Sequence, residues 1–439
     1  LRRLALLELN KPSQGSVLQS IEVNKYMPSD NILSELNIIA ESYVRLVLSV
    51  GLHDQSYVDA YFGPSRIQDE VKSEKKSLYE IKLTAGSLID RLRAMDVAGE
   101  EEIVQLRTKY LIGQLTAMVA RVELLEGKKM SFDEEAKALY DAEPPIFPES
   151  HFQSILTELD ALLPGSGTIN DRYQRFKEKF VIPKNRLDSV FTAAIDECRK
   201  KTKKYISLPE HESFTVEYVT GKSWSGYNWY KGDCYSLIQV NTDLPIYIDR
   251  AVDLAAHEGY PGHHVYNLLL DVNLFRKRKW IEFSVYALFS PQSLIAEGTA
   301  NFGIEVAFPG TDRIRFEKEV LFPLTGLDPG KADIYYKVHE LYLKLGYAGN
   351  EAARGYLDGK MNRDQTVQWL NTYALMSDER ARQRISFFDT YRSYVINYNL
   401  GQDLVKRYIE TRGGTSNNPG KRWEEFAMLI SSPRLPSGL

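Results

Sequence analysis

Three of the seven histidines in this 439-residue chain fall within one eight-residue stretch, HEGYPGHH, His257 to His264, with Glu258 beside the first. Imidazoles and carboxylates at that density form the donor set of Zn2+, which in reactive sites takes three protein ligands and keeps a fourth position open. The stretch begins like H-E-x-x-H, in which two histidines one helical turn apart share an ion while the glutamate addresses water. Pro261 stands where the second histidine belongs. On an unbroken helix His263 points about 120° away from His257, and His264 is nearly in phase but about 10.5 Å further along. A straight helix makes neither a co-ligand.

Pro261 changes that geometry. A helical proline has no N–H to give, and its ring collides with the carbonyl four residues back, here that of His257. The helix must kink or bulge just past the first histidine, and Gly259 and Gly262 tolerate the dihedrals this needs. Pro261-Gly262 then reads as a looped-out pair that returns His263 to the ion as second ligand. His264 becomes a neighbouring group acting on the transition state, although the residue pattern leaves it open as the alternative ligand. The third ligand comes from SLIAEGTANFG, where Glu297 lies on a separate predicted helix and Gly298 leaves room for close helix approach. Asn301, one turn on and on the same face, is placed to orient a ligand imidazole. The expected cofactor is one Zn2+ on His257, His263 and Glu297. His53, His151, His211 and His339 read as packed or surface residues.

These residues need long helices to hold them, and the chain supplies them. After PSDN, Leu33, Leu36, Ala40, Tyr43, Val47 and Val50 step by three and four up to Gly51, read as a helix stop. Ile103, Leu106, Tyr110, Gly113, Ala117, Ala120 and Leu124 repeat the pattern up to Gly127, and Ser131 with Glu134 has capping-box spacing. AEPPIFPES (142–150) and LPGSGTIND (163–171) are the clearest breakers. From about residue 212 FTVEYV and SLIQVNT alternate, predicting two strands of a small antiparallel sheet with an aromatic, Gly-rich connection between them. Helices resume at Ile246 and again at Ser290-Pro291, and continue from 330 to about 430. The fold class expected is mainly α, a large bilobal helical metallopeptidase-like unit with a small antiparallel β-sheet beside the metal-binding helix. Residues 1–205 form its helical half and 206–439 its metal-binding half.

LAAHEGYPGHHVY resembles the bacterial proteins grouped as domain of unknown function 885, whose signature is H-E-x-x-P-G-H-H. YVRLVLSVGLHDQSYVDAYFGP (43–64), IQVNTDLP (238–245) and AEGTANFG are similar to further segments of that family, so the likeness covers most of the chain. It implies a mostly helical, gluzincin-like fold with a deep cleft, a glutamate third ligand and a zinc-dependent hydrolase site. Of the family's C-terminal R-Y…P-G-Q…Y-x-x-G segment only Tyr398 and Gly401 are present. Tyr398 is a candidate by that match.

The chemistry expected is hydrolysis of a peptide or small amide. Zinc lowers the pKa of nearby water toward about 7, Glu258 accepts its proton and passes it to the leaving amine, and Tyr398 or the non-ligating histidine faces the oxyanion. SLIQVNT, with Val240 and Asn241, offers a strand edge to an extended peptide. Arg384 and Arg392 are candidate cations for a substrate carboxylate. The competing readings are a catalytically inactive metal- or peptide-binding scaffold and a zinc hydrolase of non-peptide amides or esters. No G-x-S-x-G, G-x-G-x-x-G or P-loop motif occurs. A net charge of −4 without a basic stripe argues against nucleic acid, and no apolar run approaches the roughly 20 residues of a membrane span. RKKTKK (199–204) reads as a solvated helix end. Two cysteines are too few for a disulfide framework, so a cytoplasmic setting is expected. The chain opens LRRLALLELN without a methionine and with an apolar run too short for a signal peptide. A start further upstream is expected, which leaves periplasmic or secreted settings open.

Overall fold

The computed structural model describes residues 30–439 apart from residue 223; the opening LRRLALLELN lies outside the described residues. The architecture is mainly helical, with two small sheets. The first long helix, Asp30–His53, buries Leu36, Ala40, Tyr43, Val47 and Val50 as its periodicity predicts. It runs through Gly51 to His53 instead of stopping there. A Cβ on Gly51 would come 2.7 Å from Val58 Cγ2, so this glycine makes room for the following strand.

The helix Glu102–Leu125 is buried on more than its predicted stripe, with Val104, Arg107, Leu111, Leu115 and Met118 also inside. Its interior charge is answered from the other half of the chain: Arg107 meets Glu282 in a two-pronged ion pair of 2.6 and 3.0 Å, both side chains fully buried. Ser131 and Glu134 cap the helix Phe132–Tyr140 reciprocally, as their spacing predicts. The RKKTKK run ends the helix Leu187–Lys203.

The sheet beside the metal helix departs from the expected pairing. Ser213–Val219 and Tyr235–Asn241 are neighbours, but they run parallel, in register from Ser213 opposite Tyr235 to Val219 opposite Asn241. The expected connection contains a third strand, Gly226–Tyr230, antiparallel to Tyr235–Asn241. A tight turn with positive φ at Gly232, Asp233 and Cys234 joins these two as a hairpin. Tyr235–Asn241 is therefore central, and Ser213–Val219 can only join its far side. Alternation reports which face of a strand is buried, not which strand lies next to it. A second sheet pairs Val58–Tyr61 with Val285–Ala287 and ties the N-terminal helices to the metal-site half.

Candidate metal centre

The helix Asp249–Leu254 bulges at the first histidine, widening into a π-helical turn, Ala255–Gly259, that ends at Tyr260. That turn carries His257 and Glu258. The chain then loops out over Pro261-Gly262, with the Gly262 N–H donating to Ala256 O at 2.9 Å, and a new helix starts at His263. Gly262 is needed there, because a Cβ would lie 1.9 Å from His257 O. The looped-out pair leaves the two imidazoles together, Nε2 to Nε2 3.1 Å.

Glu297, on the helix Pro291–Ala307, completes the group: its Oε2 lies 3.2 Å from His257 Nε2 and 3.6 Å from His263 Nε2. That oxygen is buried, and among the described residues its polar neighbours are these two imidazole nitrogens, neither in good hydrogen-bond geometry. The three separations match the edges of a tetrahedral face whose corners stand about 2.0–2.1 Å from a central ion, edges of about 3.3–3.4 Å. Surrounding groups fix the donors. Asn301 Oδ1 accepts from His257 Nδ1 at 2.9 Å, which leaves the Nε2 lone pair facing the group. Asn301 in turn donates to the Tyr398 carbonyl at 3.0 Å. Tyr394 donates to Glu297 Oε1 at 2.8 Å, leaving Oε2 for the centre. Burial resists ionisation of Glu297, but the His257 and His263 imidazoles overcome it and hold the carboxyl well below the usual range. Burial likewise resists protonation of His263, yet Glu297 pushes its pKa up to about 9.

Glu258 is buried beside this group, and among the described residues no protein group hydrogen-bonds its carboxylate; its backbone carbonyl accepts from Asn228 Nδ2 at 2.7 Å. Tyr398 sits close enough to Glu297 and Glu258 to feel both charges, and burial with those charges raises its pKa well above the ordinary value. Close helix contact puts it there. Gly298 and Gly401 face each other, and a Cβ on Gly298 would come 2.4 Å from the Gly401 backbone. The glycine of Y-x-x-G thus lets the helix Ile396–Thr411 lie against the helix that carries Glu297.

His264 does not join the group. Fully buried, it accepts from Ser236 Oγ at Nδ1 (2.9 Å) and contacts Glu212 Oε2 through Nε2 (3.2 Å). With both nitrogens engaged, it faces the sheet and not an oxyanion. Arg392 is also committed elsewhere, its Nε donating to the buried Glu135 at 2.6 Å, so it is not free for a substrate carboxylate. Asn241 spends its amide on Lys222 O and Trp224 O, and Val240 is buried in the central strand, so neither offers the expected edge. The outer strand on the Glu258 side is Gly226–Tyr230. Among the described residues Arg384 has no acid partner.

The sequence reading missed several residues. Glu212 accepts from Tyr260 Oη (2.5 Å), His264 and Arg199, clamping the turn on both sides of Pro261-Gly262. Asp59, on Val58–Tyr61, accepts from Tyr227 Oη and lies within electrostatic reach of His263, Glu297 and Glu258; burial raises its pKa to about 6. The run SYVDAYFGP gave a signal, an aspartate inside a short alternating aromatic stretch. Tyr394, four residues before Tyr398, had none.

A second group, Asp249, Asp253 and His339, also has converging donor atoms. Arg313 already occupies it, donating to the Asp249 carbonyl and pairing with Asp253 at 2.8 Å. A resident cation makes that cluster an internal salt network.

Comparisons with known proteins place the chain only loosely. No family model matches it, and no curated protein does. Among solved structures it is similar to a "putative lipoprotein" from Colwellia psychrerythraea, with 16% identity and a TM-score of 0.49 over 81% of this chain and 68% of that one. It is also similar to an M32 carboxypeptidase from Deinococcus radiodurans R1, with 11% identity and a TM-score of 0.44 over 92% of this chain and 93% of that one. No helix among the described residues is long and apolar enough to cross a membrane.

Proposed function

We propose that this chain is a zinc-dependent hydrolase acting on peptide bonds, as its resemblance to the domain of unknown function 885 proteins implies. One observation carries the reading: two half-buried imidazoles and one buried carboxylate oxygen converge at metal-ligand spacing, beside a carboxylate that no protein group engages among the described residues. His257, His263 and Glu297 would hold the ion. Zn2+ bound there would supply Lewis acidity toward a substrate carbonyl and acidify water beside it.

The chain's own residues do the rest. Glu258, with its carboxylate unengaged, takes a proton from water and returns it to the leaving amine. The Tyr398 hydroxyl has no protein acceptor among the described residues and faces the Glu258 and Glu297 side, so it donates to the developing oxyanion. Asn301 and Tyr394 keep the donors aimed. An idle scaffold would have no use for an unengaged carboxylate next to the first ligand.

The test is direct. Zinc-loaded wild type is digested against a peptide library, and Glu258→Gln alongside it. Equal zinc content with a loss of roughly 100-fold or more in kcat/KM is expected, the usual size of a general-base contribution. A Glu258→Gln variant that cleaves as fast as wild type would refute the assignment of the base. Cleavage of esters but not peptides would move the substrate class.

A further inference from the structure

Among the described residues, Arg384 is the one cation beside the candidate centre without a carboxylate partner. It lies on the helix Asp378–Tyr391, its Nε is buried without a hydrogen-bond partner, and none of the ion pairs of the described residues includes it. Other arginines drawn into the body each meet a carboxylate: Arg107 with Glu282, Arg313 with Asp253, Arg354 with Glu351 and Arg422 with Glu410. Arg384 has only aromatic faces, with its guanidinium carbon 4.9 Å from the Phe387 ring centroid, 5.6 Å from Phe388 and 6.0 Å from Tyr398. Ring faces are weak substitutes for an anion, and the half-buried guanidinium is left with its Nε shielded and no carboxylate to meet it among the described residues. Burial accordingly lowers its pKa, with only the Tyr398 and Tyr342 hydroxyls acting against it.

Its position says what the missing partner is. Arg384, Phe387 and Tyr391 are spaced i, i+3, i+7, so they share one helix face. Along that face Tyr398 packs 5.9 Å from Tyr394, ring to ring, and Tyr394 donates to Glu297. Arg384 therefore stands on the centre's flank, separated from Glu297 by two tyrosines. The steps along that path are 6.0 Å from the guanidinium to the Tyr398 ring and 5.9 Å on to the Tyr394 ring, within reach of a few extended residues at roughly 3.5 Å each. We infer that Arg384 receives the terminal α-carboxylate of a peptide, so that the centre releases residues from the C-terminal end. A planar guanidinium fork matches a carboxylate in two-pronged geometry, which a lysine cannot reproduce. In the reaction water adds its hydroxyl to the scissile carbonyl, the C–N bond breaks, and the proton goes to the amine of the released residue, whose carboxylate Arg384 holds. The inference rests on the hydrolase reading above.

Two arms keep the two ideas separable. In the first, the zinc-loaded protein digests N-blocked peptides that differ only in a free or amidated C-terminus. Release of C-terminal residues with a free-acid preference on the order of 10- to 100-fold is expected, collapsing toward unity in Arg384→Met. Arg384→Lys, which keeps the charge but not the fork, serves if the methionine variant does not fold, and should lose most of the preference. Cleavage of internal bonds irrespective of C-terminal blocking would leave the hydrolase reading standing and overturn the role of Arg384. In the second arm, calorimetry measures binding of the acid and the amide of one N-blocked tripeptide to zinc-loaded Glu258→Gln protein and to the Glu258→Gln, Arg384→Met double variant. Tighter binding of the acid that depends on Arg384 supports the carboxylate site even if no peptide is cleaved. Equal binding of acid and amide, or an acid preference that survives in the double variant, overturns it. A merely structural Arg384 would shift the melting temperature and leave the acid-to-amide ratio unchanged.

Discussion

His263 and His264 are adjacent in the chain yet meet different surroundings. The first shares a centre with His257 and Glu297; the second is held between Ser236 and Glu212. His263→Ala should therefore weaken zinc binding by at least about 100-fold, whereas His264→Ala should keep the metal and lose folding stability, on the order of 1–3 kcal/mol for the buried polar groups it strands. Competition titrations against a chelator, with urea melts beside them, separate the two effects. Zinc lost only in His264→Ala would overturn the ligand assignment. Glu212 supplies a pH test. Burial opposes its ionisation, but His264, Tyr260 and Arg199 outweigh that and lower its pKa to about 2. A carboxyl depressed on folding stabilises above its unfolded pKa of about 4.3, and the contribution is lost as pH falls through about 2. Glu212→Gln should thus be less stable than wild type near pH 7, on the order of 2 kcal/mol, with the difference fading between about pH 4.3 and 2. Urea melts across that range check it, and a difference that stayed constant down to pH 2 would rule out the carboxylate as its source.

At the level of elements, two backbone contacts decide whether the donors meet. One is the close approach of Gly262 to the His257 carbonyl, and the other the crossing of Pro291–Ala307 with Ile396–Thr411 through Gly298 and Gly401. Gly401→Ala would set a methyl 2.7 Å from Leu294 O and 3.0 Å from Gly298 Cα, too close for either helix to stay in place. A destabilisation of about 1–3 kcal/mol is expected, together with weaker zinc binding, because Tyr394 and the Tyr398 carbonyl retreat from Glu297 and Asn301. Calorimetric melting and metal titration of the one variant read both consequences. Unchanged zinc affinity in a destabilised protein would show that the crossing holds the fold but not the donors.

Across the whole molecule, the Arg107–Glu282 pair joins the N-terminal helices to the segment that leads into the Glu297 helix. Both side chains are fully buried, so removing one partner strands the other's charge away from water. Arg107→Met should cost about 3–5 kcal/mol, and adding Glu282→Gln should recover part of the loss. Denaturant unfolding of the single and double variants tests this. Additive losses would show that the two residues act independently.

Much of the candidate site was legible before the fold was. His257, Glu258, His263, Glu297 and Asn301 are readable because metal chemistry constrains residue type, and because helix-breaking by Pro261 is local backbone sterics. The mainly helical class and the capping box at Ser131 follow from the same short-range rules. What the sequence left open concerned partners distant along the chain. It could not choose between His263 and His264, pair Ser213–Val219 parallel with Tyr235–Asn241 around a hairpin, or give Arg392 to Glu135 while leaving Arg384 without an anion. Local pattern records how one segment meets its own neighbours and which face it buries. Which strand lies alongside, and which charge finds a counter-charge, is settled only when segments beyond each other's local pattern compete for the same interior, and that competition is the tertiary structure.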